Sequence, residues 1–398
     1  MNYQHARAKA LKRIIRLGYC IGVISTIFSS GVSYVDAAYR FDDYKASPPL
    51  HILGVAETAP KGLSPSQVKT IYHLPQSVAV SAGTRKTIAI IGAYEDADIE
   101  SDLAAFDKAF ALPSCTIGNG CLEKHSMADA SSKSAAAVPA TKAEKGWDME
   151  AALDVEWAHA IDPSAKILLV EAETPSGANL LKAVDYARGR SDVVSVSMSW
   201  GGPEFKGETS LDSHFTSTHS VAFFASSGDS GAGSSWPAAS PKVISVGGTH
   251  VHLSSAGAFV SETAWDGSGG GISTYEKEPA YQKTYNISRS HGMRAIPDVA
   301  YDADPSSGYS VYHAGGWYVV GGTSAGSPQW AAIAALDISS TSVALTAAKL
   351  YKDKSSASNS AYFRDIISGT NGDCGYLCSA RSRYDYVTGL GSPQSASF

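Results

Sequence analysis

The amino-acid sequence predicts an α/β fold with a mainly parallel sheet, because two kinds of segment alternate along it. Short apolar runs of strand length occupy residues 87–91, 166–171, 193–198, 221–225 and 243–246. Stretches of helical character lie between them, notably residues 147–161 and 178–189. A strand buried on both faces is a continuous apolar run, and strand–helix alternation is typical of a parallel sheet.

The composition is that of a folded, globular chain. Of the 398 residues, 44% are hydrophobic and 18% are charged, which is unlike a disordered protein. This length is enough to bury a sizeable core. No clear boundary, repeat or charge block interrupts residues 62–398, so we expect one domain there.

The first 37 residues have the order of a secretory signal peptide. A basic start precedes an apolar run from Leu17 to about Phe28, and Val35-Asp36-Ala37 offers a cleavage site of the A-x-A type. The apolar run is shorter than the roughly 20 residues that span a bilayer. We therefore expect a secreted protein, cleaved near Ala37, with no stable membrane association.

Cleavage would also make the protein more acidic. The segment carries five basic residues and one acidic residue, so its loss moves the net charge from −6 to −10. No basic stripe occurs elsewhere, so we expect no nucleic-acid partner.

The remaining four cysteines form two close pairs along the sequence. Cys115 lies near Cys121, and Cys374 lies near Cys378. An even number of cysteines in a secreted chain favours disulfides, and local pairing is the simplest of three connectivities. The alternative of a zinc site is weak, because the spacings within the pairs do not match common zinc motifs.

The segments around the predicted core are less regular. Residues 38–61 have no clear period and predict an extended lead-in. Ser64 and Pro65 predict the start of a helix, as N-cap and first helical residue. Residues 122–145, rich in Ala, Ser and Lys, predict a surface excursion, and residues 255–320 predict short strands in an irregular region.

A Gly-rich string over residues 321–328 contains the first candidate for chemistry. It reads Gly-Gly-Thr-Ser-Ala-Gly-Ser-Pro and precedes a helical run, with Ser324 as its serine. Glycines beside a helix start let a substrate backbone approach, and the helix N-terminus favours nearby negative charge. Ser324 is therefore a candidate nucleophile, although many serines at helix starts are ordinary N-caps.

Two acidic sites could assist such a serine. Glu150 and Asp154 are four residues apart, on one face of the helix predicted over 147–161. On a surface they would be a solvated acidic face, but buried together they would share a proton as a linked acid/base unit. Asp229 follows the strand at 221–225 in a Gly-rich turn, where α/β active sites collect.

These three segments, in this order, resemble the sedolisin family of serine-carboxyl peptidases. The resemblance runs from about Leu63 to Pro393 and includes residues 197–201, Ser-Met-Ser-Trp-Gly, and residues 268–271, Ser-Gly-Gly-Gly. It implies a subtilisin-like, three-layer α/β fold with a mainly parallel central sheet. It also implies a serine-type endopeptidase, acting on peptide or protein substrates, which we expect to be a monomer.

The resemblance implies a role for each candidate residue. Ser324 would be the nucleophile and Glu150 its general base. Asp154 would orient Glu150, and Asp229 would stand at the oxyanion. Glu150 must be ionised while Asp229 is protonated, so we expect peak activity at roughly pH 3 to 5.

The resemblance also implies a structural Ca²⁺ site near the C-terminus. Its ligands would be the carboxylates of Asp365 and Asp385 and the backbone carbonyls of Ile366, Arg381 and Arg383. The family pattern has glycine at the two arginine positions, so only their carbonyls would serve, and the substitution restricts the backbone.

Three alternatives remain open. The string around Ser324 also resembles conventional Ser-His-Asp subtilases, but their histidine motif is missing and Thr249-His250-Val251 matches it only faintly. A binding-only relative without turnover is the second alternative. The third concerns residues 38–61, which would act as a minimal pro-segment unless the enzyme folds without one.

Overall fold

The computed structural model describes residues 41–78, 86–128, 145–341, 344–352 and 361–398. The predicted signal peptide over residues 1–37 and most of the predicted excursion over residues 122–145 lie outside these ranges. Within the described ranges, no helix is both long enough and apolar enough to cross a lipid bilayer.

The strands of the described residues are short and numerous. In chain order they are His51–Glu57 (β1), Thr87–Ala93 (β2), Leu122–Ser126 (β3), Lys166–Ala172 (β4), Val193–Met198 (β5), Gly202–Pro203 (β6), Ala222–Ser226 (β7), Ser235–Trp236 (β8), Ile244–Leu253 (β9), Phe259–Ala264 (β10), Gly271–Lys277 (β11), Met293–Ile296 (β12), Val299–Asp302 (β13), Tyr309–His313 (β14), Gly316–Gly321 (β15), Phe363–Arg364 (β16) and Ser392–Pro393 (β17).

The α-helices include those predicted over residues 147–161 and 178–189, which are α3 and α4 in the list that follows. They are Pro65–Ile71 (α1), Ile99–Phe110 (α2), Lys145–Ile161 (α3), Gly177–Arg188 (α4), Ala280–Tyr285 (α5), Gly326–Thr341 (α6) and Ala347–Leu350 (α7). The predicted N-cap of α1 is confirmed, because the Ser64 side chain accepts a hydrogen bond from the main-chain N–H of Gln67.

The predicted α/β fold with a mainly parallel central sheet is confirmed. Eight strands form that sheet, in the order β10-β9-β7-β5-β2-β4-β3, with β13 also paired to β9. Neighbouring strands are parallel except for β10 against β9. A smaller antiparallel sheet joins β1, β15 and β14.

Helices cover both faces of the central sheet. Along β2, Ile88 and Ile90 pack into one buried cluster with residues of α2, α3 and α6. Ala89 and Ile91 point to the opposite face, into a second cluster with residues of α4. Alternate strand residues face opposite sides of a sheet, so the two cores make the domain three layers thick.

The predicted local disulfides are confirmed, as Cys115–Cys121 and Cys374–Cys378. One prediction is wrong. The excursion predicted from residue 122 begins instead with the edge strand β3, which pairs in parallel with β4. Its sequence, Leu-Glu-Lys-His-Ser, has one apolar residue, so an edge strand of this kind lacks the apolar run that marks a buried strand.

Part of the lead-in, which was predicted to be extended, forms a β-strand. Residues 51–57 are β1, which pairs antiparallel with β15 along its exposed edge. Lys45 and Ser47 form isolated bridges with Ser176 and Gly201. The lead-in thus runs across the end of the central sheet before it joins the smaller one.

Candidate active site

Ser324 lies in a tight turn between β15 and α6. A 3-10 helix over Thr323–Ala325 leads directly into α6, and Ser324 is fully buried. The turn depends on Gly322, whose φ of 126° is unfavourable for residues with a side chain. A Cβ there would lie 2.2 Å from the Pro49 carbonyl oxygen and 2.6 Å from Asp229 Oδ2. The serine and both oxygens therefore meet at one point.

Glu150 and Asp154 lie one turn apart in α3 and are both buried. Asp154 Oδ1 accepts a 2.8 Å hydrogen bond from the Ser199 hydroxyl, which also lies 3.2 Å from the Ser324 carbonyl oxygen. Among the described residues, neither carboxylate oxygen of Glu150 accepts a well-aligned hydrogen bond, although the Ser324 hydroxyl and Asp154 lie close enough to interact with it. The alternative that Glu150 and Asp154 belong to a solvent-exposed acidic face of α3 is therefore wrong.

Burial changes how the two carboxyl groups titrate. Loss of hydration raises the pKa of Glu150 well above its usual range, the charge of Asp154 raises it further, and the nearby Ser324 hydroxyl lowers it. Burial likewise raises the pKa of Asp154, while hydrogen bonds from Ser199 and with Glu150 oppose the rise. Two carboxyl groups in one dry site cannot easily both be charged, so the pair retains a proton.

Asp229 lies in the turn after β7, against the Ser324 turn. Its Oδ1 accepts hydrogen bonds from the main-chain N–H and the hydroxyl of Thr323, at 2.8 and 2.7 Å. Its Oδ2 lies 3.2 Å from Nε2 of His51. Burial raises the pKa of Asp229, while the bonds to His51 and Thr323 lower it.

The lead-in occupies the cleft formed by these residues. Ser47 pairs with Gly201 through two main-chain hydrogen bonds of 3.1 and 3.2 Å. Two residues farther on, the Pro49 carbonyl oxygen accepts a 2.6 Å hydrogen bond from the Ser324 hydroxyl. A cavity of about 540 Å³ adjoins this stretch and is walled largely by glycine, alanine and serine residues.

Pro49 and His51 are site residues that the sequence analysis missed. Neither belongs to a motif, and both reach the site only because the lead-in folds back across it. The pair of prolines at residues 48 and 49, which favours an extended backbone, is a weak signal that this stretch could lie in a cleft.

His250, the candidate histidine of the alternative Ser-His-Asp triad, contacts an aspartate other than those of the candidate site. Nδ1 of His250 lies 3.0 Å from Asp304 Oδ2, whereas the Ser324 hydroxyl donates to Pro49. The residues brought to Ser324 are instead carboxylic acids. A buried carboxylate can accept a serine proton, and a protonated carboxylic acid can donate a hydrogen bond to a developing oxyanion.

The predicted calcium ligands lie close together in two C-terminal loops. The Arg383 N–H donates to the Asp365 carboxylate at 2.8 Å, and the Arg381 N–H donates to Asp385 at 2.9 Å. Burial raises the pKa of Asp385 to about 6, although hydrogen bonds from main-chain N–H groups lower it. Arg383 keeps a left-handed φ of 70°, the conformation that favours the family's glycine.

The ligand types in this predicted set are those of a calcium site, although both carboxylates already accept hydrogen bonds from main-chain N–H groups. Two carboxylates together with main-chain carbonyls, including that of Ile366, are the hard oxygen ligands that Ca²⁺ prefers. A cation beside the buried Asp385 would also offset the cost of charging it.

Comparisons with known proteins identify the family. A family model described as the subtilase family (peptidase S8) matches residues 135–353. Sedolisin from Pseudomonas sp. (strain 101) is 30% identical over 370 residues, which cover 83% of this chain and 60% of that protein. Kumamolisin from Bacillus sp. (strain MN-32) is 31% identical over 376 residues, covering 84% and 62% respectively. The chain thus spans about 60% of the length of these relatives.

A solved structure shows the same architecture. It is that of Pseudomonas sedolisin, a serine-carboxyl proteinase, complexed with two molecules of pseudo-iodotyrostatin. The TM-score is 0.68 at 28% sequence identity, with 86% of this chain and 96% of that chain covered. The chain belongs to the subtilase family and, within it, to the sedolisins.

Proposed function

We propose that this protein is a secreted endopeptidase that hydrolyses peptide bonds in acid by a serine-carboxyl mechanism. The observation that carries the proposal is that the Ser324 hydroxyl donates to the Pro49 carbonyl beside Asp229, while the buried Glu150–Asp154 pair lies next to Ser324. Ser324 is the nucleophile, Glu150 its general base, Asp154 a positioning residue and Asp229 the oxyanion donor.

The chemistry proceeds in two halves. Ser324 Oγ bonds to the scissile carbonyl carbon and gives its proton to Glu150, while protonated Asp229 donates a hydrogen bond to the oxyanion. Collapse of this tetrahedral intermediate breaks the C–N bond, and Glu150 gives the proton to the leaving amine. Water then attacks the acyl-enzyme by the same route, with Glu150 again as the base, and releases the carboxylic acid product.

The acid range follows from the protonation states. Burial raises the pKa of Asp229, which favours the protonated donor form in acid. The Glu150–Asp154 pair must carry one negative charge to accept the Ser324 proton; burial opposes that charge, and the hydroxyl groups of Ser199 and Ser324 stabilise it. We expect a bell-shaped profile with its maximum at roughly pH 3 to 5.

We further propose that residues 38–61 act as a minimal pro-segment. The Ser47–Gly201 pairing and the Pro49 contact give the lead-in the position of a substrate, with Pro49–Leu50 at the scissile position. The strand that follows, β1, is exposed along almost its whole length. Little buried surface would hold this strand after cleavage, whereas Tyr44 and Ala46, on the other side of the scissile bond, are buried.

Export, a monomeric state and calcium complete the proposal. Residues 1–37 direct secretion, and the mature chain acts alone on peptide or protein substrates. A calcium ion held by Asp365, Asp385 and the carbonyls of Ile366, Arg381 and Arg383 would cross-link two C-terminal loops. We expect a calcium chelator to lower the Tm; an unchanged Tm would count against a structural calcium ion, and size-exclusion chromatography at micromolar concentration checks the monomer.

The experiment that tests the proposed activity is digestion of an unfolded protein at about pH 4. The wild type should produce internal cleavages, and Ser324→Ala should produce none while unfolding at an unchanged temperature. Digestion by Ser324→Ala at the wild-type rate would contradict the serine mechanism. A folded wild type that binds the substrate without cleaving it would favour the binding-only alternative.

A further inference from the structure

Three arginines stand apart from the other charged residues of the described chain. Seven arginines fall within its ranges, and four of them form ion pairs with carboxylates: Arg188, Arg190, Arg294 and Arg364. Arg289, Arg381 and Arg383 form no such pair within the described residues, and all three are exposed. The protein has a net charge of −6, so these three arginines form a local concentration of positive charge on an acidic protein.

The three side chains lie over two tyrosine rings. The guanidinium carbons of Arg289 and Arg381 lie 4.0 and 4.5 Å from the centre of the Tyr376 ring. That of Arg383 lies 5.9 Å from the centre of the Tyr285 ring. Two like charges at one ring repel each other, and an anion between them would relieve the repulsion.

A cavity of about 360 Å³ lies beside the cluster and is lined in part by Tyr285, Tyr376 and Arg383, while Arg289 and Arg381 reach it only through Tyr376. This volume is within the range of about 300–1,000 Å³ that small-molecule sites occupy. The Cys374–Cys378 disulfide encloses the turn that carries Tyr376. The ring is therefore held on a short covalent loop.

The backbone around the cavity is strained. Asn286, Arg289, His291 and Arg383 have φ values of 67°, 67°, 53° and 70°, although none of them is glycine. Left-handed backbone at such residues costs free energy and often marks ligand-binding sites.

We propose that this cluster, Arg289, Arg381 and Arg383 with Tyr285 and Tyr376, binds a phosphate or sulfate ester carried on a sugar ring. Guanidinium groups bind such oxyanions through paired, charge-assisted hydrogen bonds. The arginines cover the tyrosine faces, so the sugar would lie in the adjoining cavity, which Tyr376 and Ser382 help to line. The cluster would give the protein an anchoring site that does not involve the candidate active site.

The acid range selects this ligand class over carboxylates. Carboxylic acids have reference pKa values near ~4 and lose charge there. A phosphate ester, whose second pKa is about 6, still keeps one negative charge in the same range. Arginine remains charged throughout, so the attraction persists in acid.

Isothermal titration calorimetry with glucose 6-phosphate, inorganic sulfate and glucose tests the proposal, at about pH 4 and about pH 7. The wild type should bind both anions at both pH values and should not bind glucose. The triple variant Arg289→Gln, Arg381→Gln, Arg383→Gln should bind about tenfold more weakly or worse. Lys108→Gln, which removes one exposed positive charge elsewhere, is the matched control and should bind as the wild type does.

Two further measurements separate the causes. Tyr376→Leu should weaken binding of glucose 6-phosphate more than that of sulfate, because only the sugar enters the cavity that Tyr376 lines. Arg289→Gln alone, at a residue outside the predicted calcium ligands, should weaken anion binding and leave cleavage of a neutral peptide unchanged. This single variant also tests the proposal if the triple variant does not fold. Absence of anion binding by the wild type, or wild-type binding by the folded arginine variants, would overturn the proposal.

Discussion

The Ser324 hydroxyl donates a 2.6 Å hydrogen bond to the carbonyl oxygen of Pro49, a residue 275 positions earlier in the chain. The Pro49 carbonyl oxygen and Asp229 Oδ2 both crowd the point where a side chain on Gly322 would begin. A peptide carbonyl beside both a serine hydroxyl and a carboxyl oxygen has the surroundings that acyl transfer requires.

The ion pair between His51 and Asp229 should hold the lead-in in the cleft in a pH-dependent way. Hydrogen bonding to Asp229 raises the pKa of His51, against burial, and burial raises that of Asp229. The pair is present only between these two pKa values, so it weakens as Asp229 protonates in acid. Purified full-length protein should therefore show a shorter lag before activity at about pH 4 than at about pH 6.

His51→Gln should shorten the lag at pH 6, because it removes the charged partner. A partly exposed pair is worth about 0.2–1 kcal/mol, which corresponds to a change of up to about fivefold. His219→Gln, at an exposed histidine elsewhere, should leave the lag unchanged. If His51→Gln behaves like the control, the pair does not hold the lead-in.

Asp154→Asn should lower kcat while leaving KM nearly unchanged. Asp154 contacts Ser199 and Glu150 rather than the cleft lining, so its loss affects proton transfer and not substrate binding. Removing part of a general-base unit costs about 10²–10⁴-fold in rate. Steady-state kinetics checks this, and a rise in KM with an unchanged kcat would assign Asp154 to binding instead.

Gly322→Ala should abolish activity and destabilise the fold, because the new Cβ would clash with Pro49 and Asp229. Gly315→Ala is a matched control. Gly315 also has a positive φ, 86°, but a Cβ there meets nothing within 4 Å. Both variants should lose stability through backbone strain, by about 1–3 kcal/mol, and only Gly322→Ala should lose activity. Equal activity of the two variants would show that the close approach at Gly322 is not needed.

The protein should be most stable in acid and lose stability towards alkaline pH. Burial raises the pKa of Asp107 to about 7, of Glu276 to about 8 and of Glu208 to about 9. The folded state then binds more protons than the unfolded state above pH ~4.5, so stability falls as pH rises through these values. Thermal unfolding should show a falling Tm between about pH 5 and about pH 9.

Glu208→Gln should reduce that fall, because it removes one group that resists ionisation. One unit of pKa shift corresponds to about 1.4 kcal/mol, and each kcal/mol changes Tm by about 2 °C or more in a large domain. Glu173→Gln, at an exposed glutamate, should leave the slope unchanged. A Tm that rises from pH 5 to pH 8 would contradict the assignment of these buried acids.

The sequence is informative where structure depends on neighbours along the chain. The apolar run of β2 and the Ser64 cap are local features, and both are found as predicted. The Ser324 turn is likewise marked by its own glycines. These elements are set by burial pattern and local hydrogen bonding, which a single sequence displays.

Features that depend on contacts between distant parts of the chain could not be predicted from the sequence. β3 is a strand only because it adds to the edge of β4. Pro49 and His51 enter the site because β1 pairs with β15 and directs the lead-in across the cleft. Burial of Glu150 and Asp154 depends on how α3 packs, so the shared face was predictable while the shift in their pKa values was not.

The decisive measurement is the pH–rate profile of peptide hydrolysis from about pH 2 to about pH 9, for the wild type and Glu150→Gln. The serine-carboxyl mechanism predicts a maximum at roughly pH 3 to 5 in the wild type, and loss of about 10²-fold or more at every pH in the variant. A maximum near neutrality that survives Glu150→Gln would contradict it, because the base would then be a group other than the buried carboxyl pair.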